Sequence, residues 1–259
     1  MSTPGRAKGT RSRGLTVATL NMHKGLSHFN RRMVIHELRE GLRALDADLV
    51  FLQEVQGLHD RHAKRYAAWP SAPQYEFLAE DRWQHAYGRN AVYDHGHHGN
   101  AILSRYPIVS VETEDVSGHR FERRGLLHCV VAVAGWRRNL HCVCVHLSLH
   151  ERGRRRQLDA ISERLEHLAS RDLPIIVAGD FNDWRHRASA VMERRLGMSE
   201  VSIYWHGRAA RTFPSVLPVL RLDRIYVRGL EIISSRVHRG APWSMLSDHL
   251  AVSAELERS

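Results

Sequence analysis

Apolar residues in this chain fall into short runs, and the punctuation between the runs is polar. Leu15 to Leu20, Leu49 to Leu52, Ala101 to Ser104 and Pro174 to Ala178 are too short for helices, and β-branched residues recur in them, so they predict strands. Gly125 to Ala134 and Asn139 to Leu147 predict a hairpin around Gly135-Trp136-Arg137-Arg138, with Val109 to Val111 on an edge. Leu220 to Val227, Ile232-Ile233 and Leu250 to Leu256 continue the pattern toward the C-terminus. Two segments have helical spacing instead. Ile35, Leu38, Leu42 and Leu45 share one face of a helix over Met33 to Leu45, with Asn30 as its candidate cap. Leu158, Ile161, Leu165 and Leu168 form the stripe of a second helix, Arg152 to Ala169. Residues 185 to 212 read as a helix and loops. Residues 57 to 98 show neither period, so long surface loops with one short helix are expected there. No Pro/Gly/Ser-rich linker interrupts the series, which predicts one α/β domain over residues 15–259 behind a basic arm at 1–14.

Composition narrows the partners but not the chemistry. Lys and Arg number 38 against 28 Asp and Glu, a net charge of +10 that favours polyanions, either nucleic acid or anionic phospholipid. Cys129, Cys142 and Cys144 lie in apolar runs with neither a disulfide framework nor zinc spacing, so buried reduced thiols and a cytoplasmic setting are expected. Arg6, Lys8, Arg11 and Arg13 are not followed by an apolar segment, so neither a signal peptide nor a transmembrane span is predicted. Peripheral membrane contact stays open, and a monomer is the expectation.

Chemistry enters where the apolar runs end. After Ile175 to Ala178 come Gly179, Asp180, Asn182 and Asp183, a carboxylate and an amide delivered to the end of a buried strand. The plain alternative is a turn, which Gly, Asp and Asn favour for local reasons. Other runs close on Asn21, Glu54, His146, Asp223, Asp248 and His249. Singly, each has an ordinary explanation. Asn21 suits a turn, Glu54 a surface ion pair, His146 a structural histidine, and Asp223 a pair with Arg221 or Arg224. Adjacent Asp248-His249 is the stronger signal. Together they supply oxygen donors for Mg²⁺ or Mn²⁺, a residue to orient water, and donors for a phosphorane, which are the parts of phosphoester hydrolysis.

Seven motifs occur in one order: Thr19-Leu20-Asn21, Leu52-Gln53-Glu54-Val55, Gly99-Asn100-Ala101-Ile102-Leu103-Ser104, Val145-His146-Leu147, Gly179-Asp180-Phe181-Asn182, Leu222-Asp223-Arg224-Ile225-Tyr226 and Ser247-Asp248-His249. In that order and over nearly the whole chain, the sequence resembles the endonuclease/exonuclease/phosphatase superfamily, which includes DNase I-like nucleases. The resemblance implies a four-layer αββα sandwich of two mixed sheets with the site at one end. It implies that Glu54 is the principal metal ligand, with Asn21 and Asp248 contributing. Asp180 is the implied water-orienting residue, helped by Asn182. His249, held by Asp223, and His146 are the implied phosphate-facing imidazoles. Arg124 and Asn100 are the implied contacts to substrate phosphate, with a solvated arginine as the plain alternative for Arg124. The His95-Gly96-His97-His98 cluster reads as a His-rich loop near the site rather than a zinc site.

Three functions follow as expectations. A nuclease is favoured by the charge, the cluster Arg152 and Arg154 to Arg156, and Trp and Tyr residues able to stack on bases. A phospholipid or headgroup phosphodiesterase is favoured by the same charge and by Trp243, Met245 and Leu246 beside Asp248. A non-catalytic basic nucleic-acid binder is the third, disfavoured because every implied catalytic position keeps a competent residue. Substrate choice falls to the loops at 57–98, 115–124, 184–218 and 238–246.

Overall fold

The structure, a computed structural model, describes residues 14–28, 31–117, 124–169, 172–185 and 187–258. The basic arm (but for Gly14), the cap at Asn30, and residues 118–123 of one substrate loop lie outside the described residues. In chain order the elements are β1 (Leu15–Asn21), α1 (Ile35–Leu45), β2 (Leu49–His59), α2 (Asp60–Arg65), α3 (Gln74–Ala79), β3 (Gln84–Tyr93) and β4 (Gly96–Ser104). There follow β5 (Ile108–Asp115), β6 (Gly125–Val131), β7 (Leu140–His146), α4 (Glu151–Ala169), β8 (Ile175–Asp180), α5 (Arg187–Leu196), β9 (Ser199–Glu200) and α6 (Val201–His206). The last are β10 (Asp223–Arg228), β11 (Leu230–Val237), α7 (Trp243–Leu246) and β12 (Val252–Arg258).

The strands form two six-stranded sheets, ordered β11-β12-β1-β2-β4-β3 and β5-β6-β7-β8-β10-β9. Both are mixed: β1 and β2 run parallel in the first, β7 and β8 parallel in the second. Alternation along each strand builds three apolar layers. Val17, Phe51, Cys142, Cys144, Ile176 and Ala178 point between the sheets and form the central core. Their neighbours Ala18, Val50 and Leu52 face outward against α1, α3 and α7. On the far side Val143, Val145, Ile175 and Val177 meet Leu158, Ile161 and Leu165 of α4 and Met192 of α5. Both faces of the central strands are therefore buried, which is why their sequences read as unbroken apolar runs. All three cysteines are free and buried in the middle layer.

Residues 57 to 98 correct the expectation of loops. β2 runs on to His59, and β3 and β4 form an antiparallel pair from Gln84↔Ser104 to Tyr93↔Gly96. β3 is an edge strand whose side chains are mostly half-buried or exposed, so a polar composition costs it little and hides its period. The edge strand β5 is longer than the predicted Val109 to Val111 and mostly exposed for the same reason. β10 opens at Asp223, so that residue sits at a strand start and not inside Leu220 to Val227.

Gly179 shows how closely β7 and β8 are locked. Its φ is +147°, and a Cβ built there would lie 1.9 Å from the carbonyl oxygen of Val145. That contact is backbone and cannot move aside. Gly179→Ala is expected to cost about 3 kcal/mol or more in chemical denaturation, since overlap and an unfavourable φ act together. A loss below about 1 kcal/mol would show that the strand can shift to admit a methyl group.

Candidate active site

Strand register alone assembles half of the site. His146 at the end of β7 is the partner of Asp180 at the end of β8, and Asp180 is the partner of Asp223 at the start of β10. Residues opposite one another in neighbouring strands share a face, so the three stand in one row. The other sheet brings Asn21 at the end of β1, opposite Gln53 of β2. Between Leu52 and Val55 the β2–β4 register slips, and Glu54 in the slip has φ +56°. A residue inserted there bends the strand and turns its carboxylate out of the regular alternation. His23, Lys24 and Asn182 also have positive φ, so four of the seven described non-glycine residues in that region border this site. Strain of this kind persists only where the surroundings enforce it.

Asp180, 1% exposed, is the hub. Asn21 Nδ2 donates to its Oδ2 at 3.1 Å and to Glu54 Oε1 at 3.3 Å, tying the two sheets together. The Asn182 amide donates to Asp180 Oδ1 at 2.9 Å, while Asn182 Nδ2 donates to the Leu147 carbonyl at 2.9 Å. His146 Nε2 and His249 Nε2 face Asp180 Oδ2 at 3.6 and 3.8 Å. His249 Nδ1 bonds Asp223 Oδ2 at 2.9 Å. Ser247 Oγ donates to the Asn21 carbonyl at 2.6 Å and accepts from the His249 amide at 3.2 Å, which pins the Asp248-His249 loop to β1.

Proton affinities follow from this packing. Burial pushes the Asp180 carboxyl up to about 6, against the downward pull of cationic His249. Burial lowers His249, but the charges of Asp223 and Asp180 overcome it and raise the imidazole to about 10. Burial, reinforced by Arg124 and His249, holds His146 well below the usual imidazole range. Burial would raise Asp248, yet the His23 hydrogen bond and the His249 charge leave it below the ordinary carboxylate value. The two histidines thus divide at neutral pH into one cation and one neutral ring, an arrangement suited to acid–base work.

Two groups of side chains could face a cation. Asp180, Asp223 and His249 have ligand atoms within 4.8 Å of one another. However, the Nδ1 of His249 is engaged with Asp223 and its ring is cationic, so it lends no free nitrogen to a metal ion. Glu54, Asp248 and the Asn21 amide offer oxygen donors; Lys24 Nζ, 3.7 Å from Glu54, provides positive charge that a cation would replace, and His23 Nδ1 lies 3.0 Å from Asp248. An all-oxygen set fits a hard divalent ion.

The remaining expected residues separate clearly. The charge of Arg124 reaches His146 and His98 and so acts on the site. Asn100 is fully buried, with Nδ2 donating to the carbonyls of Gly125 and Cys144, so its donor ties the two sheets together. Arg154, from the predicted substrate-facing cluster, is 3% exposed and donates to the Ser148 and Leu149 carbonyls, a structural placement. Of the apolar trio on α7, Leu246 is buried and only Met245 stands exposed, at 57%. His97 and His98 lie on β4, with His95 in the turn before it, and His97 bonds the Tyr87 hydroxyl. His23 and Lys24 carry no motif of their own and still belong to the site. Their place directly after Asn21 was the available signal, and their side chains reach Asp248 and Glu54.

Two mixed sheets packed face to face, with carboxylates, amides and imidazoles gathered at their adjoining ends, define a phosphoester hydrolase fold of the DNase I type. The chain belongs to the Endonuclease/Exonuclease/phosphatase family, whose model matches residues 18–249. It is 46% identical over 241 residues to Uncharacterized protein YbhP of Escherichia coli (strain K12), covering 93% of this chain and 95% of that protein. Among solved structures, an endonuclease/exonuclease/phosphatase from Beutenbergia cavernae is similar with a TM-score of 0.78 and 20% identity, over 95% of this chain and 72% of that one. A mannosyl-6-phosphatase from Bacteroides thetaiotaomicron is similar with a TM-score of 0.70 and 18% identity, over 93% of this chain and 99% of that one. At these identities the structures show the shared fold.

The His249–Asp223 pair has a measurable consequence in the metal-free protein. A folded-state pKa above the unfolded value means stability that is fully present below about pH 6.5 and lost as pH rises through about 10. Titration of the His249 ring by NMR is expected to show a midpoint near 10. Asp223→Asn is expected to lower that midpoint by about 2 units, the usual effect of removing a contacting charge. An unchanged midpoint would contradict the pairing.

Proposed function

We propose that this protein is a divalent-metal-dependent phosphodiesterase that cleaves by in-line attack of water on phosphorus. The observation that carries this reading is the Asp180 carboxylate, buried between two imidazoles, held by Asn21 and Asn182, and next to Glu54. In this reading Glu54 and Asp248 would hold a Mg²⁺ or Mn²⁺ ion near Asn21, and the bound ion would supply charge stabilisation on the phosphoryl oxygens. Asp180 orients the attacking water and accepts its proton, and Asn182 fixes the carboxylate through its amide. His249, cationic and steadied by Asp223, donates to a non-bridging oxygen as charge accumulates there. Neutral His146 faces the same volume, and Arg124 adds a positive field at the substrate side.

Net charge supports nucleic acid as the first diester class to test, and the buried unbridged thiols suit a reducing compartment. A phospholipid headgroup is the second reading, favoured by the exposed apolar residues Met245, Val216 and Leu217 near the loop that carries His249. Among the described residues no helix is long and apolar enough to cross a membrane.

Hydrolysis of bis-p-nitrophenyl phosphate with Mg²⁺ or Mn²⁺, measured beside the monoester, tests the proposal. Diester turnover is expected for the wild type. Asp180→Asn should lower kcat by about a thousandfold while leaving metal binding in place, as expected when a general base is removed. Glu54→Ala should abolish the metal response. Near-normal turnover in Asp180→Asn would remove that residue from the mechanism, and preference for the monoester would turn the assignment to a phosphatase.

A further inference from the structure

Some arginines of this protein are ion-paired and others are not. Arg32, Arg39, Arg43, Arg82, Arg105 and Arg164 each meet a carboxylate within ion-pair distance. Arg208, Arg211, Arg236 and Arg239 do not: no carboxylate among the described residues lies within ion-pair range of any of them, and none donates a side-chain hydrogen bond. All four line one open cavity of about 520 Å³, walled also by His206 at the end of α6 and by Pro218. Like charges converging without counter-charge repel one another unless an anion joins them, so the cavity is an anion receptor.

What stands at its rim chooses the kind of anion. Pro218 is flanked in the chain by Leu217, 71% exposed, and Val219, 54% exposed, with Val216 at 65% just before them. A run of aliphatic side chains offered to solvent serves no purpose toward a phosphate in water or toward a nucleic-acid backbone. Aliphatic tip and cationic pocket together match the interface of an anionic bilayer, where chains enter the acyl boundary and arginines meet headgroups. Tyr204 and Trp205, also exposed, lie on the short helix that ends at His206, and such rings are enriched at membrane interfaces.

The loop is also joined to the site. Phe213 packs on the His249 ring with centroids 4.9 Å apart. The Ser215 amide donates to the Asp248 carbonyl at 2.8 Å, and Ser215 Oγ donates to the Ser247 carbonyl at 2.7 Å. Ser215 Oγ also reaches the Ser244 carbonyl at 3.2 Å, which brings the loop beside α7, the element exposing Met245. We propose that loop 213–220 and the Arg208/Arg211/Arg236/Arg239 cavity form a peripheral docking surface for anionic phospholipid membranes, which holds the active-site mouth against the bilayer. The inference goes beyond the catalytic reading and does not depend on turnover.

Flotation of the full chain with vesicles tests it. Vesicles of phosphatidylcholine alone and vesicles with about one third phosphatidylglycerol are compared at low and at physiological salt. The wild type is expected to float with the anionic vesicles and not with the neutral ones. Leu217→Ser/Val219→Ser and, separately, Arg208→Gln/Arg239→Gln should each reduce binding about tenfold or more, in proportion to lost apolar area and lost charge. Arg185→Gln/Arg187→Gln, an equal loss of charge elsewhere, should leave binding within about twofold. All six positions are exposed, so folding is not at stake. Equal partition onto both vesicles would overturn the proposal. So would unchanged flotation of the Leu217/Val219 variant, or a charge dependence seen equally in the Arg185/Arg187 variant. Binding of a DNA oligonucleotide that falls in the Arg208/Arg239 variant, with no vesicle binding by the wild type, would reassign the surface to nucleic acid.

Discussion

The carboxylate of Asp180 lies at the junction of the two sheets, out of reach of bulk water, and a charge in that position persists only with donors aimed at it. Those donors come from widely separated parts of the chain, the side chain of Asn21 from one sheet and the amide of Asn182 from the turn after β8, while His146 and His249 face the carboxylate from either side. Each must arrive in register with the others. The parallel pairing of β7 with β8 and the antiparallel pairing of β8 with β10 set that register, and Gly179 permits the close approach it requires. Fold and site are in this sense one constraint: two sheets that slid against each other would leave a buried charge without partners.

The same burial creates the chemistry. A carboxylate raised to about 6 is basic enough to take a proton from water yet ionised at neutral pH. Its neighbour His249 is raised as well, there because two carboxylates face it, and it remains a donor across the physiological range. Irregular backbone completes the arrangement. Glu54, at the register slip inside β2, and Asn182, just after β8, both sit in left-handed conformations, so the strands supply rigidity and the kinks supply direction. Positive charge at Lys24 and Arg124 then surrounds acidic groups with counter-charge that a substrate phosphate and its cation can exchange for.

Legibility in the sequence tracked burial. Central strands such as β7 and β8 are covered on both faces, so their apolar runs and the polar residues that close them were plain, and so were Asn21, His146 and Asp180 as strand ends. β3 and the far half of β2 were not, because edge strands with a solvent face can be built from His, Asn and Arg without penalty. Arg154 misled for the opposite reason: a charged residue inside an arginine run satisfies backbone carbonyls instead of facing substrate, and spacing carries no sign of that. The docking cavity was invisible for a third reason. Arg208, Arg211, Arg236 and Arg239 come from two stretches whose meeting depends on how α6 and β11 pack.

The account stands on a single displacement by water at phosphorus, with no covalent intermediate on either histidine. Hydrolysis of a diester made chiral at phosphorus by sulfur substitution, carried out in heavy-oxygen water, reads this directly from the configuration of the labelled product. Inversion is the predicted result, because the role proposed for Asp180 is to direct water to the side opposite the leaving group. Retention would require two displacements through His146 or His249 and would contradict the role given to Asp180.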